Sequence, residues 1–352
     1  MTKIIGVDLF CGAGGLTRGL LDSGVKVSAG LDIEASCKYA YEYNNKATFY
    51  NQDITSLKSE ELNSMFNDDG IRLLAGCAPC QPFSTYSQGR DVRKDKKWPL
   101  LYAFSRLIEE SRPELVTMEN VPDVIKHQVY HDFVDNLVSQ GYYVWADTVY
   151  CPDFGIPQTR KRHVLLASKF GEISLLPKTH SSDNYVTVEQ ALRNKNLPRL
   201  YAGQESKKDR LHKSSALSDL NMKRIKVSKP GGTWKDWPEE LVAECHKKPS
   251  GKTYSGVYSR MSWGLPAPTM TTQFFGFGNG RFGHPKENRA ISLREGAILQ
   301  TFPDWYQFVE PNSPIQMSAI GKMIGNAVPP KLGQVIGESF QEHIKNIATQ
   351  AC

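Results

Sequence analysis

Two cysteines, Cys77 and Cys80, stand three residues apart in the stretch GCAPCQPFS at 76–84. That spacing serves three unlike chemistries: a dithiol–disulfide pair, half of a zinc site, or a single nucleophilic thiolate with an incidental neighbour. A structural zinc site draws four ligands, commonly from two such pairs, and the chain has no second C-x-x-C and no matching histidine pair. A redox pair of the thioredoxin kind opens a helix. Here the cysteines run instead into QPFSTYSQGRDVRKDKKWP, a long polar and basic segment. Zinc and redox exchange are both disfavoured, and a lone nucleophile needs partners from elsewhere in the chain.

Those partners must be carried by the surrounding elements. The first 170 residues alternate short β-branched runs with helix-like patterns, the signature of a parallel sheet covered on both faces. KIIGVD, VKVSAGL, ATFY, IRLLAG, ELVTME, YYVWADTVY and HVLLAS read as strands, and LTRGLLDSG, EASCKYAYEYNN, SEELNSMFND, LLYAFSRLIEES and YHDFVDNLVSQG as helices. The fold class is therefore α/β, a doubly wound, mostly parallel sheet. The alternation fades near Gly171, where LPKTHSSDNYVT and VSKPGGTWKDWP supply Pro, Gly and Ser breaks. A second, smaller and irregular domain is expected there. The closing stretch PPKLGQVIGESFQEHIKNIA is again helix-like, with one apolar face that needs the first domain's sheet to pack on. The expected division is 1–171, 172–320 and a returning segment 321–352.

Ligands of open α/β sheets bind outside the carboxyl ends of the strands. The residues at those ends form one group: Asp8 and the Gly-rich turn through Gly15, then Asp32, Asp53, Cys80 and Glu119. Gly12 and Gly14 allow a ligand close to the backbone, but Thr17 stands where a dinucleotide fingerprint has its third glycine. Asp32 follows Gly12 by twenty residues and is placed to accept from ribose hydroxyls. A nucleoside site beside a thiol and a carboxyl results.

Six stretches in order, DLFCGAGG, GCAPCQPFS, ENVP, QTRKRHVLLAS, RMSWGLPAPTMTT and GNAVPP, make the chain resemble the cytosine-C5 DNA methyltransferases along almost its whole length. The resemblance implies a Rossmann-like fold dependent on S-adenosylmethionine, with S-adenosylhomocysteine as product. It makes Cys80, in PCQ, the nucleophile and leaves Cys77 a bystander. A thiolate added at C6 of cytosine turns C5 into a competent nucleophile. Glu119 is implied to hold a proton at N3, Arg162 to orient the base against Glu119, and Arg160 to support the same site. By the same resemblance Phe10, Cys11, Gly12, Gly14, Gly15, Asp32, Ile33, Asp53, Ile54, Leu100, Asn326 and Ala327 line the cofactor site, with Phe10 and Ile33 sandwiching the adenine. Asn120 is given no chemistry, and no metal is required.

The substrate so implied is double-stranded DNA, with the target cytosine extruded from the stack. A net charge of +6 suits an anionic partner, and 193–229 concentrates eleven Lys and Arg against three Asp and Glu. That run, with Trp234 and Trp237, falls where the family keeps its target-recognition segment, about 172–258. The loop 85–97, with Arg90, Arg93, Lys94, Lys96 and Lys97, is suited to closing over phosphates. Seven scattered cysteines give no disulfide framework, and the first residues carry no signal-peptide pattern. The chain is expected to be a cytoplasmic, monomeric modification enzyme without membrane association, with a cognate restriction endonuclease as a possible partner. The rivals are a tRNA cytosine-5 methyltransferase and a catalytically silent DNA-binding regulatory homologue.

Overall fold

The structure is a computed structural model that describes residues 3–79, 98–249 and 251–350. In chain order its elements are β1 (Ile4–Leu9), α1 (Gly15–Asp22), β2 (Lys26–Asp32), α2 (Lys38–Asn45), β3 (Thr48–Asn51), α3 (Ser59–Met65), β4 (Ile71–Gly76), α4 (Trp98–Ser111), β5 (Leu115–Asn120), α5 (Gln128–Ser139), β6 (Tyr143–Tyr150), β7 (Lys161–Ser168), α6 (Val188–Leu192), α7 (Asp219–Val227), α8 (Glu244–Lys247), α9 (Leu293–Leu299), α10 (Met317–Asn326) and α11 (Pro330–Gln350). They fall into two compact units, one of 1–154, 161–179 and 327–352, the other of 155–160 and 180–326.

The first unit is built on a seven-stranded sheet in the order β3-β2-β1-β4-β5-β7-β6. The strands β3, β2, β1, β4 and β5 run parallel, whereas β7 is antiparallel to both β5 and β6. Every residue of β1 and of β5 is buried, as expected of strands covered on both faces. The core gathers Ile5, Val7 and Leu9 of β1 with Leu74, Val116 and Met118 and with Phe104 and Phe133 from the helices. All seven strands read from the sequence form, but several run further than their β-branched cores. β1 reaches Leu9, β2 reaches Asp32 and β5 reaches Asn120 because a neighbouring strand still pairs there, Leu9 opposite both Leu31 and Gly76, Asp32 opposite Asn51 and Asn120 opposite His163. Asp32 is thus the last residue of β2 and Glu119 the last but one of β5.

Helix α11 lies against α1 at a very close approach: a Cβ on Gly19 would collide with the Pro330 carbonyl and the Gln334 amide. No described helix is long and apolar enough to cross a membrane.

The second unit has little regular structure, and buried side chains hold it together. Ile225, Trp234, Trp237, Phe277 and Ala290 form its aromatic core. Trp234 Nε1 donates to Tyr254 O at 2.7 Å and Trp237 Nε1 to Ser228 Oγ at 2.9 Å. The two tryptophans read alongside the basic run are therefore core residues, each 6% exposed. The Arg224 guanidinium sits over the Trp237 and Tyr258 rings at 5.6 and 5.2 Å. Lys207, Lys208, Lys223, Lys226 and Lys229 of the basic run are exposed.

Candidate active site

Neighbouring strand ends bring the candidate residues of the first unit together. Gly76 of β4 is in register with Met118 of β5, so Cys77 and Glu119 follow side by side although 42 residues separate them. On the other side of β5, Asn120 faces His163 of β7, the residue after Arg162. Glu119 is 2% exposed. Its Oε2 accepts from Cys77 Sγ at 2.8 Å, and its Oε1 forms an ion pair with Arg162 Nε at 2.7 Å. The latter is close electrostatic contact without an aligned hydrogen bond, for Oε1 has no in-line donor among the described residues. The carboxylate is held from both sides by groups of unequal strength, a guanidinium and a thiol.

The segment leading into the C-x-x-C is tied to the same strands. Cys77 N donates to Leu9 O at 3.3 Å, and Asn120 Nδ2 donates to Ala78 O at 3.3 Å. Asn120 is buried, and its Oδ1 accepts from Val121 N at 2.8 Å. The residue left without chemistry in the sequence thus anchors the approach to the cysteine motif. Cys80 and the basic loop 85–97 lie outside the described residues.

Arg160 and Arg162 are two residues apart and belong to different units. Arg160 is 2% exposed, and its guanidinium donates to Met270 O at 3.1 Å and Gly325 O at 3.3 Å. Those backbone partners belong to its own unit, whereas Arg162 joins Glu119. Of the two arginines, only Arg162 is placed beside the carboxylate by a described contact.

At β1 and β2 the Gly-rich turn folds back on the next strand. Phe10, Gly12 and Gly14 all have left-handed backbones, with φ of 59°, 51° and 87°, which the glycines adopt without steric cost. Cys11 N donates to Leu31 O at 3.0 Å. Asp32 accepts from Gly12 N on Oδ2 at 2.8 Å and from Glu34 N on Oδ1 at 2.9 Å. Each oxygen keeps lone-pair capacity for a further donor. Burial raises the Asp32 carboxyl above its ordinary value, against the lowering effect of those two amides. Ile33 follows with 73% of its surface exposed, while Phe10 is half-buried against the core. Asp53 is exposed, its Oδ1 taking Thr55 N at 2.9 Å, and Ile54 is a core residue. Gly15 is buried at the start of α1, and Leu100 packs on the core from α4. Asn326, exposed, ends α10 in the second unit, and Ala327, half-buried, begins the returning part of the first.

The donor set of this cradle suits a nucleoside bearing a positive charge. Asp8 and Asp32 sit at the turn, where a pyrophosphate would be repelled and a sulfonium or ammonium would not. The two free acceptor positions of Asp32 match a ribose diol, and Ile33 and Phe10 offer apolar surface to an aromatic ring. Asp8 itself, fully buried, takes Thr17 Oγ1 on Oδ2 at 2.6 Å, while its Oδ1 has no partner among the described residues. Burial pushes its carboxyl up to about 7; the Thr17 hydroxyl opposes the rise and the Asp32 charge adds to it. Burial, with the charges of Asp8 and Asp32, also keeps the Cys11 thiol well above the ordinary thiol range. Cys11 is therefore no rival nucleophile.

A family model for C-5 cytosine-specific DNA methylases matches residues 4–342. The chain is 48% identical over 344 residues to the type II methylase M.HgiDII of Herpetosiphon aurantiacus, covering 97% of this chain and 96% of that one. It is 30% identical to the type II methyltransferase M1.BsuMI of Bacillus subtilis, covering 94% and 78%. Among solved structures, a prophage-encoded protein of E. coli superposes with a TM-score of 0.74 at 22% identity, covering 97% of this chain and all of that one. The Entamoeba histolytica methyltransferase EhMeth superposes with a TM-score of 0.65 at 15% identity, covering 98% and 99%. These two likenesses bear on the fold.

Proposed function

The chain belongs to the C-5 cytosine-specific DNA methylase family, whose methyl donor is S-adenosylmethionine, and on that premise we propose that it methylates C5 of a base-flipped cytosine within a short duplex sequence through a covalent adduct on Cys80. The observation that carries this reading is the Glu119 carboxylate, buried at the end of β5 between Cys77 and Arg162, in the same unit as the Gly12–Asp32 cradle.

Asp32 would bind the ribose of the cofactor, with Phe10 and Ile33 on either side of the adenine, and Asp53 and Leu100 would complete this side of the site as the family resemblance implies. When bound, the cofactor supplies an electrophilic methyl group on a sulfonium. The extruded cytosine docks with N3 against Glu119, which takes up a proton from water as the base arrives and shares it with N3, and Arg162 orients the base. Cys80 attacks C6, forming the C6–S bond while the electron pair moves onto C5. C5 would take the methyl group as the methyl–sulfur bond of the sulfonium breaks and leaves its electron pair on sulfur. A base then removes the C5 proton, the 5,6 double bond re-forms, and the C6–S bond breaks to release the thiolate.

The second unit reads the target, and its exposed lysines contact phosphates. The names of the relatives place them as type II enzymes, which supports a modification methyltransferase with a cognate endonuclease, and we propose that it acts as a monomer. Bisulfite sequencing of mixed-sequence DNA incubated with the protein and S-adenosylmethionine tests the reading. Protected cytosines are expected at one short sequence and are absent with Cys80→Ser. Undirected modification, or modification that survives Cys80→Ser, overturns it. Replacing 172–258 with the matching segment of a relative should move the protected sequence; an active chimera that keeps the original sequence removes recognition from that segment.

A further inference from the structure

The function proposed above leaves Cys77 without a part, yet its thiol lies 2.8 Å from Glu119 Oε2. The carboxylate is sealed from water, at 2% exposure, and its other oxygen faces Arg162 Nε at 2.7 Å. A thiolate against a carboxylate would set two negative charges in contact in a low-dielectric setting, so a proton lies between them, and the thiol donates. Neither group is free to drift. Cys77 N is tied to Leu9 O and the next carbonyl, Ala78 O, to Asn120 Nδ2, while Glu119 is paired in β5 opposite Val164.

We propose that Cys77 is a positioning residue for Glu119. Its S–H holds Oε2 in the orientation that cytosine N3 later meets. A thiol is a weak donor, so it surrenders Oε2 to N3 at little cost while Arg162 keeps Oε1. A residue without a donor would leave Oε2 unsatisfied and the side chain free to turn. The C-x-x-C is thereby divided, with Cys80 acting on C6 and Cys77 arranging the group that acts on N3. This inference rests on the reading of Glu119 as the N3 partner.

Two measurements on the full chain test it. The S–H stretching band of Cys77, obtained as the infrared difference between the unsubstituted chain and Cys77→Ala, should lie at the lowered frequency of a bonded thiol. It should rise in a Glu119→Gln background, since an amide accepts more weakly than a carboxylate. In single-turnover methyl transfer to mixed-sequence duplex DNA, Cys77→Ala should be slower by about ten-fold, the scale of one lost hydrogen bond, with S-adenosylmethionine affinity unchanged. Cys77→Ser, which keeps a donor, should recover to within about three-fold of the unsubstituted chain. An unshifted band, a Cys77→Ala rate equal to that of the unsubstituted chain, or a Cys77→Ser rate as low as that of Cys77→Ala overturns the positioning role. If the unsubstituted chain transfers no methyl group, the reading of Glu119 falls and takes the proposal with it; a band that still shifts then identifies the function, not the hydrogen bond, as the failure.

Discussion

The two units of this protein satisfy their buried polar groups in opposite ways. In the first, parallel ladders absorb the backbone donors and acceptors of β1, β2, β4 and β5, and side chains at the strand ends are left for chemistry. In the second, long irregular stretches leave carbonyls that no ladder takes up, and buried polar groups of that kind must be paired. Side chains do the pairing. Arg260, 5% exposed, donates from Nε to Ser228 O, from one terminal nitrogen to His284 O and Glu287 O, and from the other to Ile225 O and Asn288 Oδ1. All five of its N–H bonds are spent on structure. Arg160 and Arg162 repeat the contrast at short range: one is bound to backbone carbonyls of the second unit and the other to Glu119 in the first. The lesson is that buried charge marks a site only where the surrounding backbone is already satisfied.

If that contrast is right, its largest consequence is at Arg260. Truncation to Ala strands four carbonyls and an amide oxygen, and should cost about 5 kcal/mol or more. Urea unfolding followed by tryptophan fluorescence should then show the second unit melting early, since Trp234, Trp237, Trp263 and Trp305 lie within it. A loss below about 1 kcal/mol, the range of an ordinary surface change, would remove the arginine from its structural role.

Two buried carboxyls sharpen the contrast further. Burial raises Asp8, which has no cation beside it among the described residues, to about 7. Burial also acts to raise Glu295, but the charge and hydrogen bonds of Arg289, at 2.7 and 2.8 Å, more than offset it and bring the group down to about 2. The signs of the resulting pH dependences are opposite. With its folded value raised, Asp8 holds a proton that the unfolded chain releases, so stability falls as pH rises from about 4 to about 7, by up to about 4 kcal/mol. Glu295 contributes stability above its unfolded value that is lost as pH falls from about 4.5 toward 2. Asp8→Asn should flatten the wild-type decline between pH 4 and 7 and leave the acid limb alone. Parallel stability curves for the two proteins in that window would rule out an unpaired Asp8.

Cofactor binding tests the same idea from the side of function. If Asp32 keeps acceptor capacity for the ribose, Asp32→Ala should weaken S-adenosylmethionine by about 1.5–3 kcal/mol, the worth of a hydrogen bond to a charged group. Nonspecific DNA affinity should hardly change. Calorimetry on the folded variant decides it, and an unaltered affinity removes Asp32 from the site.

The smallest effect expected concerns how helices begin. In the first unit α1, α2 and α5 start without a side-chain cap, because packing on the sheet holds them. The short helices α6, α7 and α9 of the second unit are capped by Thr187, Ser218 and Ser292. Thr187→Ala should therefore cost about 1 kcal/mol, read as a shift in the urea midpoint. No shift would mean that α6 is held by packing, as in the first unit.

Much of this was legible in the residues alone. The seven strands follow from β-branched runs and the first-unit helices from their apolar faces, because both patterns are local and regular. Asp32 and Glu119 stood out as candidates from their places at the ends of such runs, and Cys80 from its motif. Ile33 was legible only through family likeness, since an exposed isoleucine has no periodic signature. The second unit offered little, as its order comes from individual long-range bonds such as those of Arg260, and no spacing rule anticipates them. Trp234 and Trp237 were placed with the basic run and are core; aromatic residues near charge look alike in sequence whether they face solvent or an interior.

By itself, then, the sequence determined the element types and the family and supplied the candidate reacting groups, since those depend on local periodicity and on side-chain chemistry. Tertiary structure alone decided which of them touch. Cys77 meets Glu119 because β4 lies beside β5 in register, and Arg162 meets the same carboxylate because β7 runs antiparallel on the other side. Strand order is set by burial of the whole sheet, a sum over the core that no short stretch of residues contains.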